Sequence, residues 1–292
     1  MADVAREFIA AKETAGLSEP HVRDLRYRLT RFAGSFSMNM AGITGYMLQT
    51  WLDAQPVGSH SKKNEWRIVS ALIRFAVRRK YAPRDLLDEL EAVQVPKVAP
   101  APITLFSPDE LCEMLEAAPP KLIPWLAVGA FCGLRSSEIQ RLDWRNLDLQ
   151  RRFLEVKAGD AKTAQRRLVP LCDAAIQWLQ PFAQKEGHVS CYAKDNWFYV
   201  ETVAAVNRAR KAKGGQREFK WKRNGLRHSF CSYRLAVVKS AAQVALEAGN
   251  RPQMLFANCR EVVSEQEGQR WFGVFPPRPA QKVVPMPAKE VA

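Results

Sequence analysis

Apolar residues recur at three-to-four spacing over Val4 to Lys12 and again over His21 to Phe32, with Gly16 and Pro20 between them. That period predicts two amphipathic helices separated by a turn. Further helices are predicted over Thr44 to Ala54 and Lys62 to Lys80. The last puts Trp66, Val69, Ile73 and Val77 on one face and Lys62, Lys63, Arg67, Arg74, Arg78 and Arg79 on the other, with Glu65 as the main counter-charge. A single basic helix face is as readily a solvated one. Arg23, Arg26, Arg28 and Arg31 on the second helix favour a surface that faces nucleic acid.

The pattern then breaks. Residues 92–106 (AVQVPKVAPAPITLF) carry three prolines and a single charge, which reads as an extended linker. Ser107 opens a new helix, with Pro108 at its first position and Glu110 placed for a capping box. A helical N-terminal domain over residues 1–91 and a second domain over 107–275 are expected on either side. In the second domain two β-prone runs, Arg152 to Lys157 and Arg166 to Leu171, flank the polar stretch Ala158 to Gln165. They predict a hairpin with Lys162 at its tip. Helices are expected over Asp173 to Gln184, Asn224 to Val238, Ala241 to Ala248 and Pro252 to Val262, and the proline-rich tail from Pro276 to Ala292 reads as disordered. The fold class is mainly α with a small β-hairpin or sheet.

Composition narrows the function. The 292 residues suffice for two cores, and 47% hydrophobic with 25% charged residues is the range of soluble globular chains. No apolar run reaches the ~18 residues of a membrane span, and no signal-peptide pattern opens the chain, so an intracellular, cytoplasmic protein without a membrane partner is expected. The six cysteines and four histidines show no metal-ligand spacing, and no cofactor is implied. Cys132, within WLAVGAFCGL, reads as a small buried hydrophobe. The excess of 44 Lys and Arg over 30 Asp and Glu gives a net charge of +14, which suits a polyanion. Asn207 to Arg223 alone (NRARKAKGGQREFKWKR) holds eight basic residues, among them Lys220, Lys222 and Arg223, against the single acid Glu218. A solvated basic loop is the alternative reading of that run.

Breaking a phosphodiester without a metal needs cations on the non-bridging oxygens, a proton donor for the leaving oxygen and a nucleophile. Arg135 follows Gly133-Leu134 at the end of an apolar helix and precedes a second helix, Ser136 to Leu142. Standing alone, it would read as the partner of Glu138 or Asp143. Arg227 lies in the first turn of its helix, and Lys162 is the hairpin lysine.

The segments GLRSSEIQRLDWRNLDL, AKTAQRRLVPL and LRHSF, in that order, resemble the tyrosine recombinase (phage integrase) family, and the resemblance covers about residues 4–275. It implies that Arg135 and Arg227 hold the scissile phosphate, that Lys162 assists the leaving oxygen and that His228 lends a supporting hydrogen bond. It also implies an N-terminal domain that closes a clamp on duplex DNA, and a helix around Ser264 to Phe272 that docks onto a neighbouring recombinase subunit. Lys62, Lys63, Arg67, Arg74, Arg166, Lys220, Lys222 and Arg223 are the expected DNA contacts, and a nucleoid location follows.

Three positions depart from the family pattern. Asn224 stands where a histidine usually precedes the second arginine, and Asn250 where a histidine or tryptophan usually follows the glycine. Asparagine cannot shuttle protons near neutral pH. Cys259 occupies the place of the tyrosine nucleophile, and no tyrosine follows Tyr233, which reads as core. A thiol ionises more readily than a phenol, at ~8.5 against ~10. It is also several ångströms shorter, and in-line attack needs an approach within ~3.5 Å. Strand cleavage is therefore expected to be impaired or lost, leaving an accessory subunit or a mobile-element relic. An active recombinase using Cys259, or a helical DNA-binding regulator without recombinase ancestry, are the alternatives.

Overall fold

The computed structural model describes residues 1–99, 102–157, 166–191, 197–253, 255 and 261–277. The chain divides between Ala101 and Pro102 into two compact units.

The first unit is helical: α1 (Ala2–Thr14), α2 (Glu19–Gly34), α3 (Gly45–Asp53), α4 (Ser59–Arg78) and α5 (Leu86–Ala92). Phe8, Leu29, Phe32, Leu48, Leu52, Leu72 and Ile73 pack at its centre. The inward face of α4 is Ile68, Val69, Leu72, Ile73 and Ala76, whereas Trp66 and Val77 are only half-buried at its margins. The expected apolar face was thus rotated by part of a turn. Glu65 is the reason, because it is buried rather than on the solvated side. It takes ion pairs from Arg28 and Arg31 of α2. Arg26 pairs with Glu13 at 2.6 Å, and Arg28 also holds Asp24 at 2.9 Å. Three of the four α2 arginines therefore tie helices together instead of forming a free basic face. On α4 the exposed cations are Lys63, Arg67, Arg74 and Arg78, at intervals of four, seven and four residues, which places them within about 60° of arc.

α5 was not legible in the sequence, and the segment read as linker is anchored at both ends. Val93 is buried in the first core, and Gln94 exchanges backbone hydrogen bonds with the Gln49 side chain. Phe106 is fully buried in the second unit; its amide donates to Ser229 Oγ at 2.8 Å and its carbonyl accepts from Tyr233 Oη at 3.1 Å.

The second unit begins with α6 (Pro108–Ala117), whose Ser107–Glu110 capping box is formed in full. It continues with α7 (Ile123–Cys132), α8 (Ser136–Arg141), a three-stranded antiparallel sheet β1 (Leu147–Asp148), β2 (Phe153–Val156) and β3 (Arg167–Pro170), then α9 (Asp173–Leu179), α10 (Trp197–Ala212), α11 (Gly225–Val238), α12 (Ala241–Ala248) and α13 (Glu265–Phe272). β2 and β3 pair in the register Leu154↔Val169. The hairpin tip with Lys162 lies outside the described residues, as do most of the helix expected over Pro252 to Val262 and the tail beyond Pro277.

α7 is buried along almost its whole length and forms the centre of this unit, packed by α9 and α11. α10 went unread because its inward residues, Phe198, Thr202, Ala205 and Val206, are mostly small. It takes up the first part of the basic run, and Arg210 pairs with Glu113 at 2.6 Å. The helix that the resemblance assigned to a neighbouring subunit packs in its own chain as α13, against α11 and α6. Its Trp271 is fully buried, stacks on Tyr233 at 4.9 Å and donates Nε1–H to the Ala130 carbonyl at 3.0 Å.

Trp271→Ala should therefore destabilise the second unit by about 3–5 kcal/mol, and Trp271→Phe by about 1–2 kcal/mol through the lost indole hydrogen bond. Urea unfolding followed by circular dichroism checks both. A loss under ~1 kcal/mol for the alanine variant would show that α13 is not part of this core.

Candidate functional site

α7 ends at Gly133, whose backbone is left-handed (φ 63°) and whose hydrogen faces the Phe230 ring; a Cβ there would stand 2.2 Å from it. Only glycine allows that turn, and it delivers Arg135 to the start of α8. The Arg135 amide donates to Glu138 Oε2 at 2.9 Å and its Nη1 to Glu138 Oε1 at 3.0 Å. Its Nη2 donates to the Gly249 carbonyl at 3.0 Å and to Asn250 Oδ1 at 2.8 Å.

Two further guanidiniums reach the same place. Arg227, buried in the first turn of α11, donates to the carbonyls of Gly133 and Ala248, both at 2.7 Å. Arg167, on β3, donates to the Glu247 carbonyl at 3.0 Å and to both oxygens of Glu138, at 3.3 and 2.7 Å. The carbonyls of Glu247, Ala248 and Gly249 thus each take one arginine. These are the groups a helix leaves unpaired at its C-terminus, where its dipole is also negative.

Among the described residues, Arg135 and Arg167 share the buried carboxylate of Glu138, while Arg227 donates to backbone carbonyls. Burial pushes the Glu138 pKa up, but the Arg167 hydrogen bonds and charge, with the Arg135 amide and charge, outweigh it and hold the group below the usual carboxylate value. Arg135 keeps about 20% of its side chain exposed, and a cavity of about 30 Å³ beside it is lined by Arg135, Asn224, Arg227, Trp125 and Trp221 among others. A cationic concavity with pre-oriented N–H donors suits one oxyanion group.

The structure thus gathers Arg135, Arg227 and Asn250, with Asn224 at the rim of the cavity. Asn224 has φ 54° at the N-terminus of α11, a conformation that asparagine tolerates better than most residues. Asn250 acts as acceptor toward Arg135. His228 is one residue past Arg227, but its buried Nδ1 has no hydrogen-bond partner among the described residues. Lys162 and Cys259 lie outside the described residues.

Of the expected DNA contacts, Lys63, Arg67, Arg74, Lys220 and Arg223 are exposed. Lys62 reaches the Asp53 carbonyl at 2.6 Å. Arg166 pairs with Glu155 at 2.6 Å, and Lys222 turns inward to Glu110 and to the Leu105 carbonyl at 2.7 Å. Sequence reasoning passed over Arg167 and weighed Glu138 only as a plain ion-pair partner. Strand alternation across the doublet Arg166-Arg167 was the available signal, since one of two adjacent strand residues must face inward.

Other chemistry finds little support among the described residues. No cluster of His, Cys, Asp and Glu is placed to hold a metal. Burial pushes the Tyr233 phenol up to about 12 and the Cys132 thiol well above its usual range, so neither is an activated nucleophile. No described helix is long and apolar enough to cross a membrane.

Residues 109–253 match the phage integrase family. The match spans just under half of the chain. The chain is 26% identical over 176 residues to the tyrosine recombinase XerC of Chlamydia muridarum, covering 54% of this chain and 53% of that protein. It is 28% identical over 151 residues to XerC of Chlamydia trachomatis serovar L2, covering 46% and 45%. The chain spans about half the length of these curated relatives. Among solved structures, a lambda integrase dimer bound to a COC′ core site has a TM-score of 0.67 at 14% identity, covering 93% of this chain and 95% of that one. The Tn1549 transposon integrase in complex with a circular intermediate DNA has a TM-score of 0.67 at 16% identity, covering 91% and 97%. At those identities the likeness is one of fold.

Glu138→Gln should cost about 3 kcal/mol at neutral pH, because two guanidiniums lose their buried counter-charge. Since the folded-state pKa is depressed, that contribution is complete above the ordinary carboxylate value of ~4.3 and fades as pH falls through the folded one. Urea unfolding at neutral pH and at about pH 3 should show the gap between wild type and variant closing with acid. An equal gap at both would contradict the assignment.

Proposed function

We propose that this protein binds duplex DNA as a member of the tyrosine recombinase family, acting at sites of DNA integration or recombination, with its own strand-cleaving step impaired or lost. The convergence of Arg135 and Arg227 on one helix end carries this reading. Two rigid guanidiniums brought to one place are what a single backbone phosphate needs for bidentate recognition. The match over residues 109–253 and the similarity to XerC support the family chemistry for that phosphate. The integrases of similar fold were solved with DNA, one of them as a dimer, which supports duplex DNA and further recombinase subunits as partners here.

In this reading Arg135 and Arg227 hold the non-bridging oxygens, Asn250 steadies Arg135, and Lys162 stands ready for the leaving oxygen. Lys63, Arg67 and Arg74 in the first unit and Lys220 and Arg223 in the second contact flanking phosphates. Cys259, in the tyrosine's place, is too short to reach phosphorus along the line of attack. Binding survives that substitution, because the cations that provide it are separate from the nucleophile.

The test is duplex binding at several salt concentrations together with a denaturing-gel assay for covalent adducts on nicked duplexes tiled from the gene's flanking DNA. Arg135→Ala is expected to weaken binding and lower the salt slope by about one. Native chain and Cys259→Ala should form no adduct, and Cys259→Tyr should form one if the nucleophile is the only defect. A native adduct that vanishes in Cys259→Ala would replace this reading with that of a cysteine recombinase. An Arg135→Ala chain with unchanged affinity and salt slope would remove the phosphate-holding role and favour a helical regulator.

A further inference from the structure

We infer that Arg167 is a positioning residue that locks the β2–β3 hairpin to the phosphate-holding arginines through Glu138 and the C-terminus of α12. The inference rests on the reading that Arg135 and Arg227 hold a DNA phosphate.

Arg167 cannot be one more phosphate contact. Its side chain is 8% exposed, and all three guanidinium nitrogens donate within the protein. The acceptors are the Glu247 carbonyl and the two oxygens of a Glu138 side chain with no exposed surface. Both Glu138 oxygens are therefore shared: Oε1 between Arg135 Nη1 and Arg167 Nη1, and Oε2 between the Arg135 amide and Arg167 Nη2. Without Arg167 the carboxylate would be free to turn toward Arg135, and the orientation of that guanidinium would no longer be fixed by opposing bonds.

Packing makes the same connection. A Cβ on Gly249 would stand 2.7 Å from Arg167 Nη1, so the guanidinium lies against the bare face of that glycine. The carbonyl of Gly249 in turn accepts from Arg135. Along the hairpin, Arg167 faces Val156 on the last described rung of the ladder. One side chain thus joins the sheet, the α12 terminus and the anchor of Arg135. Arg152, just before β2 in the same sheet, makes an exposed pair with Asp173 and serves as the control.

The experiment compares the full chain with Arg167→Gln, Arg167→Lys, Arg152→Gln, Arg135→Gln and the double variant Arg135→Gln/Arg167→Gln. Duplex affinity is measured by fluorescence anisotropy across a salt series, and amide hydrogen exchange by mass spectrometry on the same proteins. Arg167→Gln should weaken binding about tenfold and lower the salt slope by about one, matching the loss of the Arg135 contact. The double variant should be no weaker than Arg135→Gln within about twofold, because both changes remove one contact. Arg167→Lys should recover part of the affinity, and Arg152→Gln should leave affinity and salt slope unchanged. Exchange should quicken over 135–141 and over both strands while α7 and α9 stay protected.

Losses that multiply in the double variant, with the slope falling by about two, would make Arg167 a phosphate contact and overturn the inference. Unaltered exchange over 135–141 in Arg167→Gln would also overturn it. If Arg135→Gln itself leaves DNA binding untouched, the phosphate-holding reading falls, and the exchange over 135–141 still decides the role of Arg167.

Discussion

The C-terminal end of α12 presents three carbonyls with no backbone partner among the described residues, and three arginines converge on them. Glu247, Ala248 and Gly249 accept from Arg167, Arg227 and Arg135, which arrive from a strand, a helix and an interhelical turn. Orphan acceptors and the negative end of the helix dipole together attract cations that would otherwise repel one another. Glu138 then neutralises part of the charge and fixes two of the three guanidiniums. The three guanidiniums are held side by side because each has protein acceptors, backbone carbonyls among them.

Two glycines make the approach feasible. Gly133 allows α7 to end against Phe230 and supplies the carbonyl for Arg227, while Gly249 gives room for Arg167 to lie flat. Both adopt left-handed backbone, which a side chain would strain even where space allowed. The site is thus assembled mostly by main-chain geometry, and this bears on the departures at Asn224 and Asn250. Asn224 fits a left-handed residue, and Asn250 offers Arg135 an oxygen rather than a proton relay. Both substitutions are compatible with holding an anion, whatever they cost in acid–base chemistry.

The separation between holding and cutting is the functional consequence. The arginine cluster depends on α7, β3, α11 and α12, whose relation is set by a core that includes Phe106 and the Trp271–Tyr233 stack. Under the proposed function, a nucleophile lost from the chain beyond α12 removes cleavage and leaves these cations in place.

Helices with a strong apolar stripe, the Ser107–Glu110 capping box, the paired strands and the pair Arg135 and Arg227 were all legible in the sequence, because each is a local pattern or a short motif. α5 and α10 were not, since one is barely two turns long and the other turns mostly small residues inward. The face of α4 was misjudged because a buried glutamate reads as polar until its partners Arg28 and Arg31 are placed. Which of Arg166 and Arg167 turns inward depends on pairing with a strand and a helix far away in the chain. The sequence by itself determined the kinds of element and the chemistry available. Only the tertiary structure decided which cations are free and which are held, because that depends on the acceptors brought to them across distances the local pattern does not encode.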